Sequence, residues 1–422
     1  MTSNPTRLLM VAGERSGDLH GAELASALRE ELGEIEIFGC GGDAMRQAGV
    51  ETVADLRDFA MVGITEVVSG LPRARRAFHS LLAETRRRRP EVAVLIDSSS
   101  LNLRLAKKLK PRGISVVYYV SPQIWAWKKW RIRHLRGRVD KMLCLFDFEE
   151  EIYRRAGVPV EYVGHPLLDR PEITEAGLSR PEFFAKTRLD ADPDRGGPVV
   201  ALLPGSREIE VKYNLPRLVE AARRLRERRP SHRLQFVLPV AATLEGAHLE
   251  AGLRASGAEP DLIRLVSHAT HDALRHADAA VVASGTATLE TALIGCPMVV
   301  VYRVARSTAF FARFMLDVPF FSMVNLLAGK SLVPELIQND FTPERVVAEV
   351  ERLLDQPEAC AQMRAGFEFV RSRLGTGGAA HRAARAVAGM IRLRALEGRA
   401  FGTPARPSAI PSPSPVSHEQ GR

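Results

Sequence analysis

Short apolar runs alternate with longer amphipathic stretches along nearly the whole chain, and that rhythm constrains the fold more than any single motif. Runs at Leu8–Ala12, Ile35–Phe38, Val92–Ile96, Ile114–Val120, Met142–Phe146 and Val160–Val163 read as strands. Between them, Ala22–Leu32, Pro72–Arg88, Leu103–Lys110 and Glu149–Ala156 read as helices. A parallel strand pair cannot be closed by a tight turn, so strands separated by helical stretches give parallel sheets with crossover helices. At Asp192–Pro198 the sequence becomes Asp-Pro-Asp-Arg-Gly-Gly-Pro, a turn-rich linker without apolar period. The pattern then restarts, with strands Val199–Leu203, Leu234–Pro239, Ile263–Val266, Ala279–Ala283 and Met298–Tyr302 and helices Leu215–Arg228, Glu245–Ala255 and Thr286–Ile294. The expected fold is α/β: two doubly wound domains facing an interdomain cleft, where the carboxyl ends of both sheets bind ligands.

Helices at Pro343–Leu354, Glu358–Leu374 and Gly378–Leu396 follow. Beyond Gly398 the composition turns to Pro, Ser, Gly and Arg, which cannot bury enough apolar surface to order itself. The expected division is 1–190, 191–365, a unit of C-terminal helices at 366–397, and a disordered tail at 398–422. No internal repeat is evident.

The net charge of +9 is unevenly placed: between Gly70 and Lys141 there are 19 Lys/Arg against four acids. Such a segment suits an anionic partner, whether phospholipid, a phosphorylated substrate or nucleic acid; solvated helix faces are the plainer alternative. Four scattered cysteines without CxxC argue against a zinc site or disulfide framework and fit reduced thiols. No signal peptide and no run of about 20 apolar residues is seen, so a soluble or peripheral protein is expected.

Chemistry concentrates at strand ends. Gly13-Glu14-Arg15-Ser16-Gly17-Asp18 follows the first strand; its glycines permit close backbone approach, although the spacing is neither GxGxxG nor a P-loop, and alone it reads as a Ser-based helix cap. Asp97 ends the strand Val92–Ile96, where a general base would sit, or a helix cap. Pro204-Gly205-Ser206-Arg207 links a strand to a helix. Gly205 allows close approach, Ser206 and the helix start donate to phosphate, and Arg207 neutralises a departing diphosphate; a surface turn is the alternative. Ser284-Gly285-Thr286 forms a second such junction, and Glu290, one turn in, is placed to accept from ribose hydroxyls. All three tryptophans fall in Val120–Arg131 beside Lys128, Lys129 and Arg131, which fits a membrane interface or a sugar-binding wall, a buried aromatic cluster being the alternative. No nucleic-acid-binding motif accompanies them, and no nucleic-acid partner is expected.

Taken in order and spacing, Gly13-Glu-x-Ser-Gly-Asp18, Met61-Val-Gly-Ile-Thr-Glu-Val67, Tyr119–Trp127, Val163-Gly-His-Pro166, Leu203–Arg207, Ala283–Ala287 with Glu290, and Asn325-Leu-Leu-Ala-Gly329 resemble the lipid-A-disaccharide synthase family over roughly residues 7–390. The resemblance implies a GT-B glycosyltransferase with two Rossmann-like domains. Residues 1–190 would take the acceptor and face the membrane, and 191–365 would bind the UDP-sugar donor. The implied donor is UDP-2,3-diacylglucosamine and the acceptor 2,3-diacylglucosamine 1-phosphate, giving a β-1′,6-linked disaccharide and UDP at the cytoplasmic face of the inner membrane. Carried over, Asp97 is the general base and Arg207 the essential arginine, while Thr286, Glu290 and Asn325 lie on the donor side. Gly13, Glu14, Ser16, Gly17 and Asp18 are expected at the acceptor cleft. Met61, Val62, Ile64, Phe78, Arg86, Arg87, Arg88 and Arg89 are expected to lean on an anionic inner-membrane surface. One departure stands out: Ser98-Ser99-Ser100-Leu101 precede Asn102, where the family usually has Pro, a second acid and Phe. No DxD or acid cluster stands where a metal would replace Arg207, so neither metal nor cofactor is expected, the UDP-sugar being a substrate. Oligomeric state is open, a homodimer being compatible. Two other readings remain: a different GT-B-type UDP-sugar enzyme, either an epimerase or a transferase with a soluble acceptor, and a non-catalytic basic protein binding membranes or RNA.

Overall fold

The computed structural model describes residues 6–59, 64–122, 132, 135–190, 197–241, 244–305 and 319–400, with side chains described outside 64–70 and 397–400. Seven parallel strands, β1 (Thr6–Ala12), β2 (Ile35–Gly41), β3 (Glu51–Asp55), β4 (Val92–Ile96), β5 (Ser115–Tyr119), β6 (Lys141–Cys144) and β7 (Val160–Tyr162), form a sheet in the order β3-β2-β1-β4-β5-β6-β7. Six more, β8 (Val199–Leu203), β9 (Gln235–Val240), β10 (Ile263–Ser267), β11 (Ala279–Ala283), β12 (Met298–Tyr302) and β13 (Glu335–Ile337), form a second parallel sheet in the order β10-β9-β8-β11-β12-β13. The doubly wound α/β pattern read from the sequence is thus present twice.

Helices cover both faces of each sheet, which is why the central strands are apolar without alternation. In β1, Leu8, Met10 and Ala12 join the core beneath the helix Arg15–Leu32, while Leu9 and Val11 join the opposite layer with Leu105 and Leu81. All five residues of β4 are fully buried, and Val92, Val94, Leu95 and Ile96 each contribute roughly 1.5–3 kcal/mol of burial.

The order of strands reverses between β1 and β4 in one sheet and between β8 and β11 in the other. Crevices open at such switch points, beyond the carboxyl ends of the strands. The four ends lead directly into Gly13, Asp97, Pro204 and Ser284.

Chain crosses between the halves twice, and the crossings are fastened together. His165 N–H donates to the Leu374 carbonyl at 3.1 Å, and Arg382 Nε donates to the Val163 carbonyl at 2.8 Å. The Asp169 carboxylate accepts from the backbone N–H of Gly378 and Ala379, capping the helix Ala379–Ala400. Burial pushes the His165 imidazole down to about 3, and its Nδ1 accepts from Leu167 N–H at 3.2 Å. The Val163-Gly-His-Pro166 motif is therefore a joint. The segment expected as one unit at 366–397 is divided: the helix Pro357–Arg373 packs on second-half helices, whereas Ala379–Ala400 returns to the helix Arg15–Leu32 of the first. Among the described residues no helix is long and apolar enough to cross a membrane, and all four cysteines are buried and unpaired.

Candidate active site

Asp97 emerges from β4 in a left-handed backbone conformation (φ 50°), and Ser98 follows at φ 34°. That geometry costs about 1–2 kcal/mol for a residue with a side chain, so neighbours must hold it. Asp97 N–H donates to the Tyr119 carbonyl at 3.0 Å, and its own carbonyl accepts from Asn102 Nδ2 at 2.9 Å and from the Tyr118 hydroxyl. Asn102 Nδ2 also donates to the Ile96 carbonyl at 2.9 Å. The helix Ser99–Leu109 begins after Ser98 without a side-chain cap, so Asp97 is not a capping residue. Its carboxyl is pushed up to about 6: burial strips it of solvent, Glu14 adds repulsion, and the Ser98 N–H, His20 and the Ser16 hydroxyl pull the other way. A carboxylate tuned this way is largely ionised at neutral pH yet basic enough to accept a proton.

Glu14 stands at the start of the helix Arg15–Leu32, which has no side-chain cap. Gly13 is required by packing, since a Cβ there would lie 2.4 Å from Ser98 Oγ; Gly17 lets the helix lie against Ala12 and Ile96. Asp18 corrects the expectation of a cleft residue. It is buried, and its carboxylate accepts from the N–H of Gly42 at 2.6 Å, Ala44 at 3.1 Å and Met45 at 3.1 Å, capping the helix Asp43–Gln47.

On the second half, Arg207 points across the cleft, with Nη2 3.4 Å from Glu14 Oε2 and the side chain 62% exposed. A pair this exposed adds little stability; its meaning is proximity of the two switch points. The backbone around it departs from expectation. Glu210 Oε2 accepts from Ser206 N–H at 2.9 Å and Arg207 N–H at 3.3 Å, filling the place foreseen for phosphate. Gly205 (φ 128°) makes this possible, because a Cβ there would meet Glu210 at 2.5 Å. What Arg207 offers is its guanidinium.

An open helix start is found instead at Thr286–Ile294, whose N-terminus carries no side-chain cap. Gly285 and Thr286 are exposed, a Cβ at Gly285 would meet nothing within 4 Å, and Ser284 Oγ donates to the Phe321 carbonyl at 3.2 Å. An uncapped helix start with open space before it suits a diphosphate. One turn in, Glu290 is mostly buried, with Oε1 3.8 Å from Arg170 Nη1 and Oε2 3.4 Å from His271 Nε2. Asn325 is again a correction. It is fully buried; Nδ2 donates to the Val333 carbonyl and Glu335 Oε1, and Oδ1 accepts from Leu332 and Val333 N–H. Every polar site of that amide is taken, so it shapes the wall behind the Ser284–Thr286 turn and has nothing left for a ligand.

Of the expected membrane-facing set, Met61 and Val62 lie outside the described residues, as do the Ile64 side chain and all three tryptophans. Arg86, Arg87 and Arg89 are exposed at the end of the helix Ile64–Arg88. Arg88 turns inward onto Glu36, Glu51 and Glu84 and over the Phe38 ring, and so leaves the set. Phe78 is half-buried against the core. Among the described residues no group of three His, Cys, Asp or Glu side chains is placed to hold a metal ion.

Sequence reasoning missed Asn102, Tyr118, His20, Arg170 and His271. Asn102 and His20 did leave a signal: each is a polar residue in an otherwise apolar helical stripe, with Leu105, Ala106 and Leu109 or with Leu24, Ala27 and Leu28.

A family model described as lipid-A-disaccharide synthetase matches residues 8–374. The lipid-A-disaccharide synthase of Myxococcus xanthus is 44% identical over 385 residues, spanning 91% of this chain and 97% of the relative. That of Geobacter sulfurreducens is 41% identical over 393 residues, spanning 93% and 99%. In three dimensions the chain is similar to UDP-GlcNAc 2-epimerase from Neisseria meningitidis bound to UDP-GlcNAc, with TM-score 0.59, 12% identity and coverage of 91% and 100%. It is likewise similar to a glycosyltransferase from Rickettsia africae, with TM-score 0.55, 10% identity and coverage of 92% and 99%. At those identities the structures speak for the fold, while the sequence matches reach further: the chain belongs to the lipid-A-disaccharide synthase family and is a hexosyltransferase of the GT-B fold.

Proposed function

We propose that the cleft joins two acylated glucosamine units by direct inversion at the donor's anomeric carbon. The donor is UDP-2,3-diacylglucosamine and the acceptor 2,3-diacylglucosamine 1-phosphate. The acceptor's 6-oxygen forms a bond to the anomeric carbon as the bond to the β-phosphate oxygen breaks, and its proton passes to Asp97. UDP departs against the Arg207 guanidinium and the helix start at Thr286, giving the β-1′,6-linked disaccharide. Glu290 accepts from the ribose hydroxyls. One observation supports this reading: Glu14 approaches Arg207 across the cleft and its charge also acts on Asp97, so a single side chain links the proposed base with the proposed leaving-group cation.

The basic first half fits lipid-borne, anionic substrates. Exposed Arg86, Arg87 and Arg89 would lean on an anionic membrane surface at the cytoplasmic face of the inner membrane, each well-placed cation contributing about 1 kcal/mol.

Mass spectrometry of products from the two purified acyl sugars tests the reaction. The wild-type chain should yield disaccharide 1-phosphate and UDP. Asp97→Ala and Arg207→Ala should each cut turnover by about 10²-fold or more while circular dichroism stays unchanged. Near-wild-type rates in either variant refute the assignment.

A further inference from the structure

A line of ionisable side chains crosses the seam beside the cleft, and the transfer chemistry above uses only Glu290 of it. His20 Nδ1 lies 3.5 Å from Glu23 Oε2 on the first-half helix Arg15–Leu32. Glu23 Oε1 lies 3.7 Å from Arg170 Nε, Arg170 Nη1 lies 3.8 Å from Glu290 Oε1, and Glu290 Oε2 lies 3.4 Å from His271 Nε2. Arg170 follows the joint Pro166–Asp169, and its side chain is only 19% exposed. These separations are ion-pair distances and too long for good hydrogen bonds. Correspondingly, His20 Nδ1, Glu23 Oε2 and His271 Nε2 are buried without a hydrogen-bond partner. Buried polar atoms left open in this way are costly unless a further group completes them.

We infer that Arg170 is a positioning residue for the donor's ribose. Its guanidinium, anchored on Glu23 of the first half, holds one oxygen of Glu290 while His271 flanks the other, so that the carboxylate faces the ribose hydroxyls in a fixed orientation. A planar cation with several donors can bridge two carboxylates at set angles, as an ammonium cannot. The inference rests on Glu290 as the ribose acceptor and deepens that reading: Arg170 makes the site selective for a ribonucleotide.

The test is calorimetric binding of UDP and 2′-deoxy-UDP to the full chain and three variants, with donor kinetics alongside. The wild-type chain should bind UDP about tenfold or more tightly than 2′-deoxy-UDP, and Glu290→Gln should collapse that ratio towards one. Arg170→Gln should collapse it to a similar degree and raise the donor KM about tenfold, with kcat within about threefold. Arg170→Lys should give an intermediate ratio. In Arg170→Gln with Glu290→Gln the losses should be non-additive, because one residue acts through the other. If Glu290→Gln collapses the ratio and Arg170→Gln weakens both nucleotides equally, or neither, the role of Arg170 is overturned while Glu290 stands. If Glu290→Gln leaves the ratio intact, the ribose reading fails and this inference falls with it.

Discussion

Arg207 of the second half reaches to within 3.4 Å of Glu14 in the first, and Glu14 is also the carboxylate whose charge helps raise Asp97. One side chain therefore reports on both partners of the proposed chemistry. When Arg207 is drawn to a departing diphosphate, Glu14 loses its cation, and its repulsion of Asp97 is less offset. Proton acceptance by Asp97 and charge growth on the leaving group would then favour one another.

This arrangement fixes a pH dependence. A general base must be deprotonated, so kcat/KM should fall as pH drops through about 6, the value to which Asp97 is raised. Glu14→Gln removes one of the raising causes and should shift the acid limb to lower pH. A pH profile of kcat/KM for both proteins checks this, and an unmoved limb counts against the coupling.

Asp97 should also cost the fold stability. Its folded value lies above the ordinary carboxylate value of 3.8, so the folded state binds the proton more tightly than the unfolded chain does. The stabilisation by that proton is fully present below the unfolded value and is lost as pH rises through about 6. Asp97→Asn keeps a neutral group there and tolerates the left-handed backbone. At pH 7.5 it should be more stable by on the order of 1–3 kcal/mol, with turnover reduced by orders of magnitude. Thermal melts at pH 7.5 and pH 4 should show the gain shrinking in acid.

The two buried asparagines should behave differently from ligand-binding residues. Asn325→Ala strips partners from Glu335, the Val333 carbonyl and the N–H groups of Leu332 and Val333, and should cost about 2–4 kcal/mol in urea unfolding. Donor KM in the folded fraction should change less than tenfold; a larger rise would restore a direct contact. Asn102→Ala should lower both stability and kcat, because it releases the carbonyls that set the direction of Asp97.

Membrane binding should separate neighbouring arginines. Replacing Arg86 and Arg89 with Glu should weaken sedimentation with anionic liposomes, and high salt should do the same to the wild-type chain. Arg88→Gln should instead lower the melting temperature, since it breaks contacts with three carboxylates. Liposome binding that ignores ionic strength would refute an electrostatic surface.

The apolar runs gave away most of the architecture. β4, β8, β11, β12 and the helix Thr286–Ile294 lie where the sequence reading puts them, residue for residue. β3 and β13 escaped because edge strands are short and need not be apolar: Glu51–Asp55 and Glu335–Ile337 both include acids. At the site, strand ends marked Asp97, Arg207 and the Thr286 junction as candidates, and the structure puts each of them just beyond a strand of its sheet. The sequence did not reveal which polar groups are already engaged. Asp18, Glu210 and Asn325 spend their hydrogen bonds on backbone or buried neighbours, and those partners are up to 27 residues away in sequence.

The two crossings fastened at Val163–Asp169 and Leu374–Arg382 have a mechanical meaning. With both tethers lying side by side, a swing about a single short axis is the relative motion of the halves that they restrain least. Such a swing would part the halves like pages along a stitched spine, at the edge where Glu14 and Arg207 face each other. A loosened stitch, such as Asp169→Ala, should leave each page intact yet spoil the register in which they close.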